Sequence, residues 1–336
     1  MTGPVFTHLL RMTDHRGTFE HAQLSEPRRE HGYCTDDMAR VLIVATREPE
    51  STGEVNGLAG KALTFLNEAQ SHNGACRNRM DSGGHWRDEP TTHDHWGRTL
   101  WALGTAAAHS DVSLVRRLAV VQFERAAKTR SPHPRAMAFA AIGAAELVAV
   151  LPGHAPARRV LADYAADASD DTGDPDWPWP EPRLSYANAV LVEAMIAAGG
   201  AQGDTALQRR GLDLLEWLLD IETVDGHLSP TPVEGRGPDD HGPAFDQQPI
   251  EVAALADACA RAAAVDPRPL WPNGIRAAAA WFDGDNDLRL PMWDPETGGG
   301  FDGLHADRVN LNQGAESTLA ALSTMQQARR FAPARR

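Results

Sequence analysis

Two adjacent aspartates, Asp36 and Asp37, sit in the stretch HGYCTDDMARVLIVATRE, at the mouth of an otherwise apolar helix. One of them could serve the helix as a cap, with Thr35 or Asp36 at the N-cap, a contribution of about 1 kcal/mol. Two in a row leave one without a capping role, and Tyr33 and Arg40 are near enough in sequence to tune or orient it. Glu251, in AFDQQPIEVAALADA, falls in the first turn of a helix that is apolar for the next two turns. Acidic residues favour first turns. A lone acid between Ile250 and Val252 is also the kind of partly buried group whose pKa rises toward neutrality, as a general acid requires. Asp94, in THDHW, opens another helix with the same two readings, and Glu316 in NQGAESTLAAL is a further candidate, structural or functional. Glu20, in GTFEHA, precedes any clear helix and suits a binding group. Glycosidic bonds are usually cleaved by two carboxyl groups, one protonating the leaving oxygen and one activating water or attacking carbon. An Asp36/Asp37 position facing Glu251 would meet that need.

The elements that must carry these groups repeat along the chain. Six polar or aromatic loops run into small-residue apolar helices: YCTDDMARVLIVAT, HDHWGRTLWALGTAAA, HPRAMAFAAIGAAELVAV, LSYANAVLVEAMIAAG, QQPIEVAALADACARAAA and LNQGAESTLAALSTMQQA. Each is rich in Ala, Gly, Leu and Val nearly all round, which marks a buried helix. Between them lie two-faced segments such as LAGKALTFLNEAQ and ALQRRGLDLLEWLLDIE, with apolar residues at i, i+3, i+4 and i+7. Strand-like alternation is almost absent. The pattern predicts an all-α (α/α)6 toroid of six inner and about six outer helices, as one domain over residues 1–336. An open solenoid would end in polar caps, whereas the first and last inner helices here are as apolar as the others.

In such a ring the inner-helix N-termini converge on one face, where their amides favour polar ligands. The loops feeding that face are GHWRDEPTTHDHW, DPDWPWPEPRLSY, DDHGPAFDQQPIE and RLPMWDPETGGGFDG. Aromatic platforms with Asp, Gln and Arg between them suit sugars, whose ring faces stack while their hydroxyls hydrogen-bond. These loops contribute His95, Trp96, Trp179, Arg183 and Tyr186 as candidate substrate contacts, with Asp246, Gln247 and Gln248 from the loop before Glu251. Trp86, Trp96, Trp177, Trp179 and Trp293 each fit a sugar platform or core packing. DDTGDPDWPWPEP, rich in proline and tryptophan, reads as a wall or lid rather than a tether.

Composition narrows the function further. A net charge of −14 argues against nucleic acid or an anionic membrane as partner and suits a neutral ligand. No run of about 18 apolar residues offers a membrane span. The start, MTGPVFTHLLRMTDHRG, lacks the basic and apolar blocks of a secretory signal, so a cytoplasmic protein is expected. Cys34, Cys76 and Cys259 lie far apart and form neither a zinc set nor a disulfide framework. His93 and His95 at HxH spacing, without further Cys or His nearby, do not make a metal site. No metal or cofactor is expected.

TDHRGTFEHA…HGYCTDDMARVLI, HDHWGRTLWALG and DQQPIEVAALADA resemble the (α/α)6 domain found alone or behind bacterial glycosyltransferases, over almost the whole chain. Among stand-alone members the chain is most similar to the mycobacterial methylmannose polysaccharide hydrolases. The resemblance implies an endo-acting, cytosolic α-1,4-mannosidase that trims a 3-O-methylated mannose polymer, an α-mannan-type partner. It implies an aspartate and a glutamate as the catalytic pair, falling on Asp36–Asp37 and on Glu251. On this footing Asp36 is the general base and Glu251 the general acid, with inversion at the anomeric carbon. Inversion requires a carboxylate gap of roughly 6.5–9.5 Å rather than about 5 Å. Asp37 and Asp94 would hold hydroxyls, Arg40 and Arg183 would pair with carboxylates, and Cys34 would be a packed neighbour. The chain departs from the family pattern at Met38 and at His93–Trp96. Three other classes compete: a non-catalytic carbohydrate-binding toroid, a terpene cyclase-like protein, and a phosphorylase with a cationic phosphate pocket. The first would need no perturbed Glu251. The second lacks a DDxxD or DxDD sequence, and the third would depend on inorganic phosphate.

Overall fold

The structure is a computed structural model and describes residues 4–49, 51–168 and 176–332. Among the described residues twelve α-helices account for the architecture: α1 (Thr7–Arg11), α2 (Thr35–Arg47), α3 (Gly53–Ala69), α4 (Asp94–His109), α5 (Ser113–Ala126), α6 (Pro134–Val150), α7 (Ala155–Asp167), α8 (Asn188–Gln202), α9 (Thr205–Ile221), α10 (Pro249–Ala263), α11 (Leu270–Phe282) and α12 (Ala315–Arg330). The six small-residue segments are the inner helices α2, α4, α6, α8, α10 and α12. Each packs on the next, and α12 packs back on α2 to close the ring. The two-faced segments form the outer helices α3, α5, α7, α9 and α11. The sixth outer position holds only the five-residue α1, which packs on α12.

Small residues serve close approach. A Cβ added at Gly104 would lie 2.0 Å from the Gly143 carbonyl oxygen, and one at Gly143 would lie 2.2 Å from that of Leu100. α4 and α6 therefore touch backbone to backbone. The charged faces of the outer helices look outward while their apolar faces cover the ring. Loops on the two poles differ sharply. Those that follow the inner-helix C-terminal ends are short, whereas those before the N-termini are long, except the one between α5 and α6, and several of them carry paired two-residue strands. One such pair, Tyr33–Cys34 against Arg79–Met80, sets Asn78 beside the start of α2. No described helix is long and apolar enough to cross a membrane.

Candidate active site

Neither Thr35 nor Asp36 caps α2. The N-cap is Cys34, whose Sγ accepts from the Asp37 N–H at 3.4 Å and donates to Asp37 Oδ2 at 3.0 Å. Both aspartates are thus relieved of capping, and they part company. Asp36 faces a cleft of about 910 Å³ on the N-terminal pole, which Asp94, His95, Arg98, His133, Arg135 and Tyr186 also line. Arg98 Nη1 donates to Asp36 Oδ1 at 2.7 Å, and Asn78 Nδ2 donates to Oδ2 at 3.0 Å. Burial would raise the Asp36 pKa, but the Arg98 and Arg40 guanidiniums more than offset it and hold the carboxyl below its ordinary value. Asp37 is turned away from the cleft, 2% exposed, and shares Arg40 with Glu316: Arg40 lies 2.7 Å from Asp37 and 2.6 Å from Glu316. Burial pushes Asp37 up to about 6. Its expected role in holding a sugar hydroxyl is not what the geometry provides, because its oxygens are spent on Arg40 and Cys34.

Glu251 approaches from α10. Its Oε1 accepts the Ala187 N–H at 2.7 Å, with a further bond from the Asn188 N–H. Ala187 stands in the left-handed region at φ 48°, which turns that amide onto the carboxylate. Burial, reinforced by Glu222 and Glu316, outweighs these bonds and raises Glu251 to about 7. A contact chain joins the two acids: Arg98 touches Asp36 and reaches Asp94 at 3.9 Å, Asp94 accepts from the Tyr186 phenol, and Tyr186 precedes the Ala187 amide. The carboxyl held low lines the cleft, whereas the carboxyl held high is 6% exposed, lies outside the cleft lining and meets it through the Ala187 amide next to Tyr186.

Tyr186 is the aromatic side chain the cleft offers. It is 48% exposed and backed by the Arg135 guanidinium 4.6 Å from its ring. Arg135 is fixed in turn by a two-pronged pair with Glu181 at 2.6 and 2.7 Å. The tryptophans do otherwise. Trp96 is fully buried and donates to the Ala126 carbonyl, Trp177 and Trp179 pack on Trp217, and Trp293 donates to Asp283. Trp86 sits edge-on to Phe65. The platform expectation is therefore corrected: these rings fill gaps between helices and loops, where their area is best buried. Residues 170–175 of the expected wall lie outside the described residues; Trp177 and Trp179 belong to core packing.

Other expected contacts divide similarly. His95 lines the cleft, with Nε2 2.8 Å from the Cys76 carbonyl oxygen. Tyr33 is buried, stacks on Phe19 and donates to Asp14, so it braces the loop rather than touching ligand. Gln247 is fully buried and donates to Asp287 at 2.6 Å, while Gln248 is the α10 N-cap residue. Asp246 pairs with His305 at 2.6 Å and Arg183 with Asp240 at 2.9 Å, both away from the cleft lining. Glu20 pairs with Arg79. Glu20, Cys34 and Asp37 could offer a metal ligand atoms within 4.8 Å of one another, yet Arg79 and Arg40 already occupy the two carboxylates. Sequence reading missed Arg98, Asn78, His133 and the Arg135–Glu181 brace. Arg98 had a signal in its i+4 spacing from Asp94 on a helix. Asn78 had none, because only strand pairing brings it to Asp36.

No protein-family model matches the chain, and no curated protein matches its sequence. Solved structures match its shape. A sugar epimerase from a ruminal bacterium superposes with a TM-score of 0.73 at 14% identity, covering 98% of this chain and 96% of that one. The fold is an (α/α)6 toroid. A D-mannose isomerase matches at 0.68 with 12% identity over 96% and 94% of the two chains. An inactive variant of the α-1,6-mannanase of Salegentibacter sp. HEL1_6, in complex with α-1,6-mannotetrose, matches at 0.62 with 12% identity over 97% and 96%. The toroid is thus shared with carbohydrate enzymes of several reaction types.

Proposed function

We propose that the protein is a cytoplasmic, endo-acting glycoside hydrolase built as one catalytic toroid, cleaving an α-1,4-linked, 3-O-methylated mannose polysaccharide with inversion. The observation that carries the reaction type is the opposite tuning of two carboxyls: Asp36 is held ionised by Arg98, and Glu251 stays protonated up to about pH 7. Pairs of titratable groups pushed apart by their surroundings identify acid and base. Asp36 takes a proton from the water attacking the anomeric carbon, while Glu251 gives its proton to the departing oxygen. Asp94 and Tyr186 hold and stack the sugar between them. The linkage and the methylation follow from the family resemblance. The mannanase neighbour, whose inactive form has two consecutive aspartates replaced, supports mannose as the unit.

A second reading, epimerisation or isomerisation at a reducing sugar, is favoured by the His93 and His133 rings, which line the cleft 4.7 Å apart. Incubation with α-1,4-manno-oligosaccharides, plain and 3-O-methylated, separates the two. Shorter chains and new reducing ends support hydrolysis. Chains of unchanged length with altered C2 configuration replace it with the second reading, and release that requires inorganic phosphate replaces it with phosphorolysis.

A further inference from the structure

The outer helices turn charged faces to solvent, and α5 departs from that pattern. Leu114, Leu118 and Val121 recur on it at i, i+4 and i+7 and are 54%, 43% and 55% exposed. Val115, Ala119, Phe123 and Ala126 already form its buried face, so the three are a second apolar stripe along the same helix. Scattered exposed apolar residues are ordinary, whereas a contiguous row of them marks an interaction surface. The stripe borders the groove between α5 and α3. On that flank Gln122 donates to the Leu63 carbonyl at 3.1 Å and Arg125 to Asn67 Oδ1 at 3.0 Å. Gly60, two turns before Asn67 on α3, leaves the groove open: a Cβ added there would meet nothing within 4 Å. On the other flank the turn between α6 and α7 reaches Glu124 through His154 at 3.2 Å and carries the exposed Val150 and Leu151.

We propose that this stripe joins two copies of the chain, with α5 packed antiparallel on α5 of the second copy about a two-fold axis. The charges around it carry the choice of partner. Leu114, Leu118, Val121 and Arg125 are spaced 4, 3 and 4, as the seam of a coiled coil is. In the antiparallel register Leu118 lies opposite Val121 of the second copy, and Leu114 opposite the aliphatic stem of Arg125. The same register sets Asp111 against Lys128 and Arg117 against Glu124, and the two-fold makes each pair occur twice. Among the described residues Asp111, Arg117 and Lys128 are exposed and without an ion-pair partner. Glu124 gives Oε1 to His154 and keeps Oε2 for the second copy. A parallel pairing would set Asp111 on Asp111 and Lys128 on Lys128, and like charges in contact repel. An anionic membrane, another surface that takes an apolar helix face, is disfavoured by the net charge of −14. No α5 residue lines the cleft, so the pairing stands whether or not the hydrolase reading does.

Sedimentation equilibrium of the full chain from about 1 to about 200 µM tests this, because one helix pair is a small interface and its affinity should be on the order of 10 µM. The parent should pass from monomer to dimer across that range. Leu118→Glu enters the interface twice and should weaken the dimer roughly 100-fold or more. Arg117→Glu and Glu124→Arg each set like charges opposite one another and should weaken it roughly tenfold, while the double reversal should return it to near the parent value. Circular dichroism checks that each variant is folded; where Leu118→Glu is not, the charge reversals carry the test. A monomer at every concentration would overturn the proposal and leave the stripe to a segment of another protein. A dimer indifferent to a folded Leu118→Glu, or single reversals that the double reversal does not rescue, would overturn it as well.

Discussion

The proposed chemistry rests on single contacts that can be removed one at a time. Arg98 keeps Asp36 ionised, so Arg98→Met should lower kcat/KM by roughly 10²-fold or more. It should also move the acid limb of the pH profile upward, because the ionised form of Asp36 is present above its folded pKa and lost as pH falls through it. Arg98→Lys should restore part of both effects; a rate loss with an unmoved acid limb would reduce Arg98 to packing. Glu251 carries the opposite sign. Its folded pKa, about 7, lies above the ordinary 4.5, so no penalty exists at pH below 4.5, where both folded and unfolded chains hold the proton. The penalty grows with pH and is complete above about 7, at about 3 kcal/mol. Glu251→Gln should therefore melt higher than the parent at pH 8 and alike at pH 4, while losing activity at both. Equal melting at pH 8 would mean the carboxyl is not held neutral.

The elements that aim these residues depend on small side chains. α4 presents Asp94 and Arg98, α6 presents Arg135, and the two helices meet at Gly104 and Gly143 with no room for a Cβ. Gly143→Ala should force them apart at a cost of about 1–3 kcal/mol or more, readable as a lowered denaturation midpoint. The same change should loosen the cleft, raising KM for an oligosaccharide. At Ala187 the demand is the reverse. Its φ of 48° costs an alanine roughly 1 kcal/mol, so Ala187→Gly should hold or raise stability while the N–H still reaches Glu251. A Gly variant markedly less stable than the parent would show that the turn is held by the methyl group instead.

At the scale of the whole molecule, the ring was legible because helical periodicity is a local signal repeated many times. Buried and two-faced segments alternate, and each marks its own layer. The cleft lies on the pole where the inner helices begin, the face whose loops are rich in aromatic, His, Asp and Arg residues. What failed to show in the sequence are pairings across distant segments. Asn78 reaches Asp36 only through a two-residue strand, and Asp36 differs from Asp37 through the partners each one meets, Arg98 and Asn78 against Arg40 and Cys34. Tryptophan was misjudged for a related reason: a loop position does not reveal whether a ring faces the cleft or folds under it. Trp177 and Trp179 fold under, against Trp217, and leave Tyr186 as the exposed ring. The hydrolytic pairing of Asp36 with Glu251 is tested most directly by proton NMR of α-1,4-manno-oligosaccharide cleavage over time. The first product should be the β-anomer, and it should vanish in both Asp36→Asn and Glu251→Gln. An early α-anomer, or undiminished cleavage by either variant, would contradict the assignment of Asp36 as base and Glu251 as acid.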